Sequence, residues 1–108
     1  MASRHADHAE ALRTRVLGSG VIDNALRSGA MRAGAGGDAS LPEPYAALTR
    51  TIGERSYRVT DAQVGAVRSA AGTDRAAFEV IMSASIGAGL RRWDAAMAAL
   101  EEAEDASR

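Results

Sequence analysis

From Asp74 to Glu104 the chain runs without a proline, and no alternating apolar segment of strand character occurs in its 108 residues. Along that span Phe78, Ile81, Met82, Ile86, Leu90, Trp93, Met97 and Leu100 recur mostly at three- and four-residue steps, the period of one helix face. The spacing predicts one long helix from Asp74 to about Glu104. Between Ala76 and Leu90 most of the remaining positions are also apolar or small, so this part should be covered on several sides. Ala84 with Ala88, and Ser85 with Gly89, place small residues one turn apart, where another helix can approach closely. Gly87 and Gly89 each cost about 1 kcal/mol relative to alanine and leave room for a kink.

The rest of the chain divides into shorter helical pieces. Residues 1–7 read as a frayed start, followed by a helix from His8 to Leu17 that Gly18-Ser19-Gly20 stops. Asp23 is placed to cap a second helix reaching Ala33, since its carboxylate can accept from an otherwise unpaired N–H. Ala33 to Ser40 reads as a flexible linker. It lacks the lysine and the spacing of a phosphate-binding loop, and no strand precedes it. A third helix should run from Pro42 or Glu43 to Glu54, with Tyr45, Leu48 and Ile52 on one face. Thr60 and Gln63 form a capping-box pattern ahead of a helix from Asp61 to Ala71. Gly72 ends it, and Thr73 or Asp74 caps the long helix.

Composition narrows the function classes. All thirteen basic residues are arginine, against fourteen acidic ones, for a net charge of −1. That bias, with its alanine and glycine excess, matches a GC-rich, bacterial-type genome, and the spread of charge gives no nucleic-acid footprint. No apolar run approaches a membrane span, and no charged segment precedes an apolar one at the N-terminus, so a cytoplasmic protein is expected. The absence of cysteine excludes disulfides, thiol catalysis and cysteine-held metals. A core of Ala, Val, Ile, Leu and Met in one small domain is thin, which favours oligomerisation.

The stretch Tyr57 to Leu100, "YRVTDAQVGAVRSAAGTDRAAFEVIMSASIGAGLRRWDAAMAAL", resembles the C-terminal helical half of the alkylhydroperoxidase D / carboxymuconolactone decarboxylase superfamily. "YRVTDAQV" is similar to that family's "vTDedv" signature. "EVIMSASIGAGLRRWDAAMAAL" is similar to its buried helix, with Arg91-Arg92-Trp93-Asp94 at the family's polar turn. The resemblance implies an all-α, alkylhydroperoxidase D-like bundle of about four or five helices, oligomeric. Residues 1–40 would be divergent N-terminal helices and a glycine-rich linker, and 41–108 the family's core, in one domain overall. The redox members use a Cys-x-x-Cys tuned by a glutamate and histidines, and this chain has no counterpart to those thiols. Thiol peroxidase and disulfide reductase activity are therefore not expected. A decarboxylase or isomerase needs no cysteine, but does need a proton donor and a carboxylate-binding group.

Arg91, Arg92 and Asp94 are the main candidate catalytic residues. They interrupt an apolar helix, and Arg91 and Asp94 are spaced to share one face. A buried arginine can hold a carboxylate through two parallel hydrogen bonds. A structural ion pair is the commoner use of such residues. Glu79 is a candidate buried acid, whose simpler role is an ion pair with Arg75 one turn earlier. Tyr45 and Tyr57 can donate a proton but more often pack as amphipathic side chains. Ser83 and Ser85 have no histidine nearby in sequence to activate them. His5 and His8 have helical metal-ligand spacing, yet a solvated terminus is the simpler reading. The acidic end, Glu101 to Asp105, opposes the helix dipole and should fray.

No cofactor or metal is expected. The favoured expectation is an oligomeric accessory or scaffold protein without catalytic activity, its Ala/Gly/Ser face on the Asp74–Glu104 helix buried in a second copy or a protein partner. The alternative is a cofactor-independent decarboxylase or isomerase acting on a small carboxylate or lactone.

Overall fold

The Thr73 hydroxyl accepts a hydrogen bond from Ala76 N at 3.1 Å and starts the longest element of the computed structural model, helix α5 (Asp74–Ala106). The structure describes the backbone of residues 2–107 and the side chains of residues 6–107. Four further helices precede α5: α1 (Ala2–Val16), α2 (Asn24–Gly34), α3 (Tyr45–Arg55) and α4 (Asp61–Ala71). A 3₁₀ turn, Ser56–Arg58, joins α3 to α4. No strand occurs among the described residues, and no helix there is long and apolar enough to cross a membrane.

The helix boundaries follow local chemistry. Thr60 and Gln63 close a reciprocal capping box at 3.2 and 3.1 Å, satisfying two backbone donors that a helix start leaves unpaired. Gly72, at φ +94°, ends α4 in the left-handed conformation that glycine adopts without a Cβ penalty. Asp23 caps α2 through Ala25 N. Helix α1 begins at Ala2 rather than His8, so the frayed segment expected over residues 1–7 is helical from its second residue. Helix α3 begins at Tyr45, just past the cis Glu43–Pro44 bond.

The core gathers Ile22, Leu48, Ile52, Val67 and Val80 with Ala30, Ala76, Ala77 and Ala84. Helix α2 lies against both α5 and α3, so residues from the first 40 contribute directly to this core. The approach of these helices is unusually close. A Cβ on Gly34 would collide with the Ala84 carbonyl oxygen, and one on Gly87 with the Met31 carbonyl oxygen. Backbone meets backbone at both points, which only glycine permits.

This packing corrects the expected orientation of α5. The face buried within the chain is the small one: Ala76, Ala77, Val80, Ser83, Ala84, Gly87, Ala88 and Leu90. Of the Ala/Gly/Ser face assigned to a second copy, Ala84 meets α2 and Ala88 is buried within the chain, because a helix without large side chains there can come closest, while Ser85 and Gly89 stay exposed. Several large side chains are left outward. Phe78 is 55 % exposed, Leu100 51 %, Met82 40 % and Trp93 38 %. From Arg91 to Ala106 every residue except the half-buried Met97 is exposed. The molecule is correspondingly elongated, with extents of 54 × 28 × 21 Å.

The Ala33–Ser40 segment also departs from expectation. Instead of a loose linker it makes a hydrogen-bonded turn. Ala35 N donates to Met31 O, Gly36 N to Ala33 O and Gly37 N to Arg32 O, at 3.1, 3.0 and 2.9 Å.

Candidate functional site

The sequence candidates on α5 do not converge on one point. Arg91 and Asp94 line a groove of about 360 Å³ between α1, α2 and α5. Arg92 points elsewhere, its Nη2 donating to the Gly53 carbonyl oxygen at 3.4 Å. Asp94 does not pair with Arg91. It accepts from Arg13 Nη2 at 2.8 Å, and Arg13 also reaches Glu10 at 2.9 Å. The Glu10 hydrogen bond and then Asp94 hold the Arg13 guanidinium more firmly protonated than usual. The pair bridges α1 to α5, and its distance of 81 residues along the chain hid it from the spacing rules that find helical ion pairs.

Arg13 leaves two other guanidinium groups at the groove. Arg32 at the end of α2 and Arg91 on α5 both line it, and neither forms an ion pair among the described residues. Met31, Leu90, Ala35 and Gly87 give the groove apolar lining. Gly36, at φ +87°, lies beside Arg91: a Cβ there would sit 2.9 Å from Arg91 Nη1. Arg32 belongs to a segment that carried no candidate in the sequence.

Glu79 is a buried acid with a structural environment. Its side chain is 11 % exposed. It accepts from Val21 N at 2.8 and 3.0 Å and from Ile22 N at 3.2 Å. Arg75 lies 3.4 Å away and Arg27 3.7 Å away. The Val21 N–H contributes most to holding this carboxyl below the usual glutamate range, joined by Ile22, Arg75 and Arg27, with burial acting against them. The expected Arg75 contact is present. Arg27, which no spacing rule singles out, is buried at 5 % exposure and donates to the carbonyls of Val16, Gly18 and Ile22.

The other candidates stand apart from the groove. Ser83 and Ser85 donate back to the carbonyls of Glu79 and Ile81 at 2.7 and 2.8 Å. Tyr57 is exposed on the 3₁₀ turn, and Tyr45 packs at the core edge. His8 lies with Leu12 and Trp93 along the α1–α5 seam. The side chain of His5 lies outside the described residues. Among the described residues no cluster of three His, Asp or Glu could hold a metal.

Comparison with known protein families, with curated proteins and with solved structures found no match.

Proposed function

We propose that this protein is a non-catalytic, self-associating helical module, an accessory or scaffold element built on a carboxymuconolactone decarboxylase-like frame without its thiol chemistry. The observation that carries the reading is the outward stripe on α5. At about 100° per residue, Phe78, Met82, Gly89, Trp93 and Leu100 fall within about 60° of one another. Leu12 of α1 borders them, sharing grooves with Phe78, Met82 and Trp93. Together their exposed parts present roughly 450 Å² of apolar surface, at the scale of the largest patches on ordinary monomers. A stable interface of about 800 Å² per partner, a little over half of it apolar, needs that much.

A second copy of the same chain fits the stripe. Phe78 and Leu100 lie equally far from Gly89 along the helix, as do Met82 and Ala96, and Ser85 and Trp93. An antiparallel pair of α5 helices centred on Gly89 therefore sets large side chains against small ones, or Phe78 against Leu100, on both sides of a two-fold axis. Gly89 has nothing within 4 Å of where its Cβ would be, so its helix-weakening cost is not explained by packing within the chain. The same arrangement brings the exposed Arg75 beside Glu104 of the partner subunit, a charge match at the rim.

The test is sedimentation equilibrium of the wild type and of Phe78→Ser with Leu100→Ser. The wild type should be a dimer or higher assembly, and the double variant a folded monomer. A wild type that stays monomeric at high micromolar concentration overturns the reading.

The alternative, a cofactor-independent enzyme acting on a small carboxylate or lactone, rests on the arginine groove. It has less support, because such chemistry needs a proton donor and the groove's carboxylate, Asp94, is already engaged by Arg13.

A further inference from the structure

We infer that the groove between α1, α2 and α5 binds a small organic anion, a carboxylate with an apolar body, through Arg32 and Arg91. This is independent of self-association, since Gly87, Arg91 and Asp94 lie well round α5 from the outward stripe, roughly 100° or more from Gly89.

The argument begins with charge. Arg13 and Arg27 are held by carboxylates, and Arg92 donates to a carbonyl. Arg32 and Arg91 come from different helices to one concavity, and neither has an acidic partner among the described residues. Asp94, the carboxylate at the groove, is occupied by Arg13. The rim thus keeps a positive balance that a bound anion would neutralise. Guanidinium groups offer planar forks of donors matched to carboxylate or phosphate oxygens.

The turn after α2 is shaped around the same two side chains. Gly36 has the positive φ of 87° that favours glycine, and a side chain there would press on the Arg91 guanidinium. A Cβ on Gly37 would sit 3.1 Å from Cγ of Arg32. The glycines that looked like linker residues leave space for both arginines.

The floor selects the ligand's body. Met31 and Leu90 supply apolar surface beneath the charges, and the volume of about 360 Å³ falls at the small end of the range of ligand pockets. A carboxylate carrying one ring or a short chain uses both features, whereas inorganic phosphate uses only the charges. No chemical step is assigned to this site.

The test is an NMR titration of the full chain with benzoate, inorganic phosphate and benzyl alcohol, read at the arginine Nε–H resonances and backbone amides. Benzoate should bind saturably and shift Arg32, Arg91 and the Gly36–Gly37 amides. Arg32→Gln and Arg91→Gln should each weaken it about tenfold, the loss expected of one charge-assisted contact. Arg91→Lys should recover only part, because it keeps the charge without the fork. Arg92→Gln is the control and should leave binding within about twofold, a change too small for a lost direct contact. Benzyl alcohol binding as tightly as benzoate would show that the arginines do not read the anion. Phosphate binding as tightly would show that the floor contributes nothing. Either result, an equal loss in Arg92→Gln, or no saturation by benzoate overturns the proposal.

Discussion

Arg27 and Glu79 face each other 3.7 Å apart where the α1–α2 connection crosses α5, and together they hold that connection by its backbone. Glu79 takes the N–H groups of Val21 and Ile22, while Arg27 donates to the carbonyls of Val16, Gly18 and Ile22. A loop of glycine and serine gains a fixed course from two charged side chains. Removing Glu79 strips the Val21 and Ile22 N–H groups of their acceptor and leaves Arg27 buried without a carboxylate, and removing Arg27 frees the carbonyls of Val16, Gly18 and Ile22. Glu79→Ala should therefore cost about 3 kcal/mol, measurable by urea denaturation. Arg27→Ala should cost a similar amount, and the double variant clearly less than the two losses combined.

Glu79 also sets an acid limit on stability, chiefly through the Val21 N–H it accepts from. The folded Glu79 carboxyl titrates below its unfolded value, so its contribution is fully present above the unfolded pKa of about 4.3. It is lost as pH falls through the lower folded value. Thermal midpoints recorded from neutral pH downwards should drop below about pH 4, and Glu79→Gln should flatten that part of the curve. An identical acid profile in Glu79→Gln would remove Glu79 as the cause.

Glycines in this chain should respond to alanine with opposite signs. Gly87 meets the Met31 carbonyl, so Gly87→Ala forces α2 and α5 apart and should destabilise by about 2 kcal/mol or more. Gly65 on α4 has open space at its Cβ position, and Gly65→Ala should stabilise by up to about 1 kcal/mol through helix propensity. Thermal denaturation of the two variants checks both signs.

Secondary structure was largely legible because its signals are local. The Thr60–Gln63 capping box, the Asp23 cap and the left-handed Gly72 each depend on neighbours a few residues away. The orientation of α5 was not legible. Hydrophobic size predicts burial only when packing rewards area, and here the backbone contacts at Gly34 and Gly87 favour the small face. The candidate site was half visible. Arg91 and Asp94 stood out as polar residues in an apolar helix, but Asp94 pairs with Arg13 on a distant helix. Arg32 became a candidate only when α2 and α5 were brought together.

Self-association through antiparallel α5 helices is tested most directly by disulfide trapping, which the cysteine-free chain permits without background. In an antiparallel pair centred on Gly89, two Phe78 positions are separated by about 33 Å along the helices, while Phe78 lies opposite Leu100 of the partner subunit. Under mild oxidation Phe78→Cys alone and Leu100→Cys alone should stay uncrosslinked, and an equimolar mixture should give a covalent dimer. Efficient crosslinking of Phe78→Cys by itself, or none in the mixture, would contradict the account.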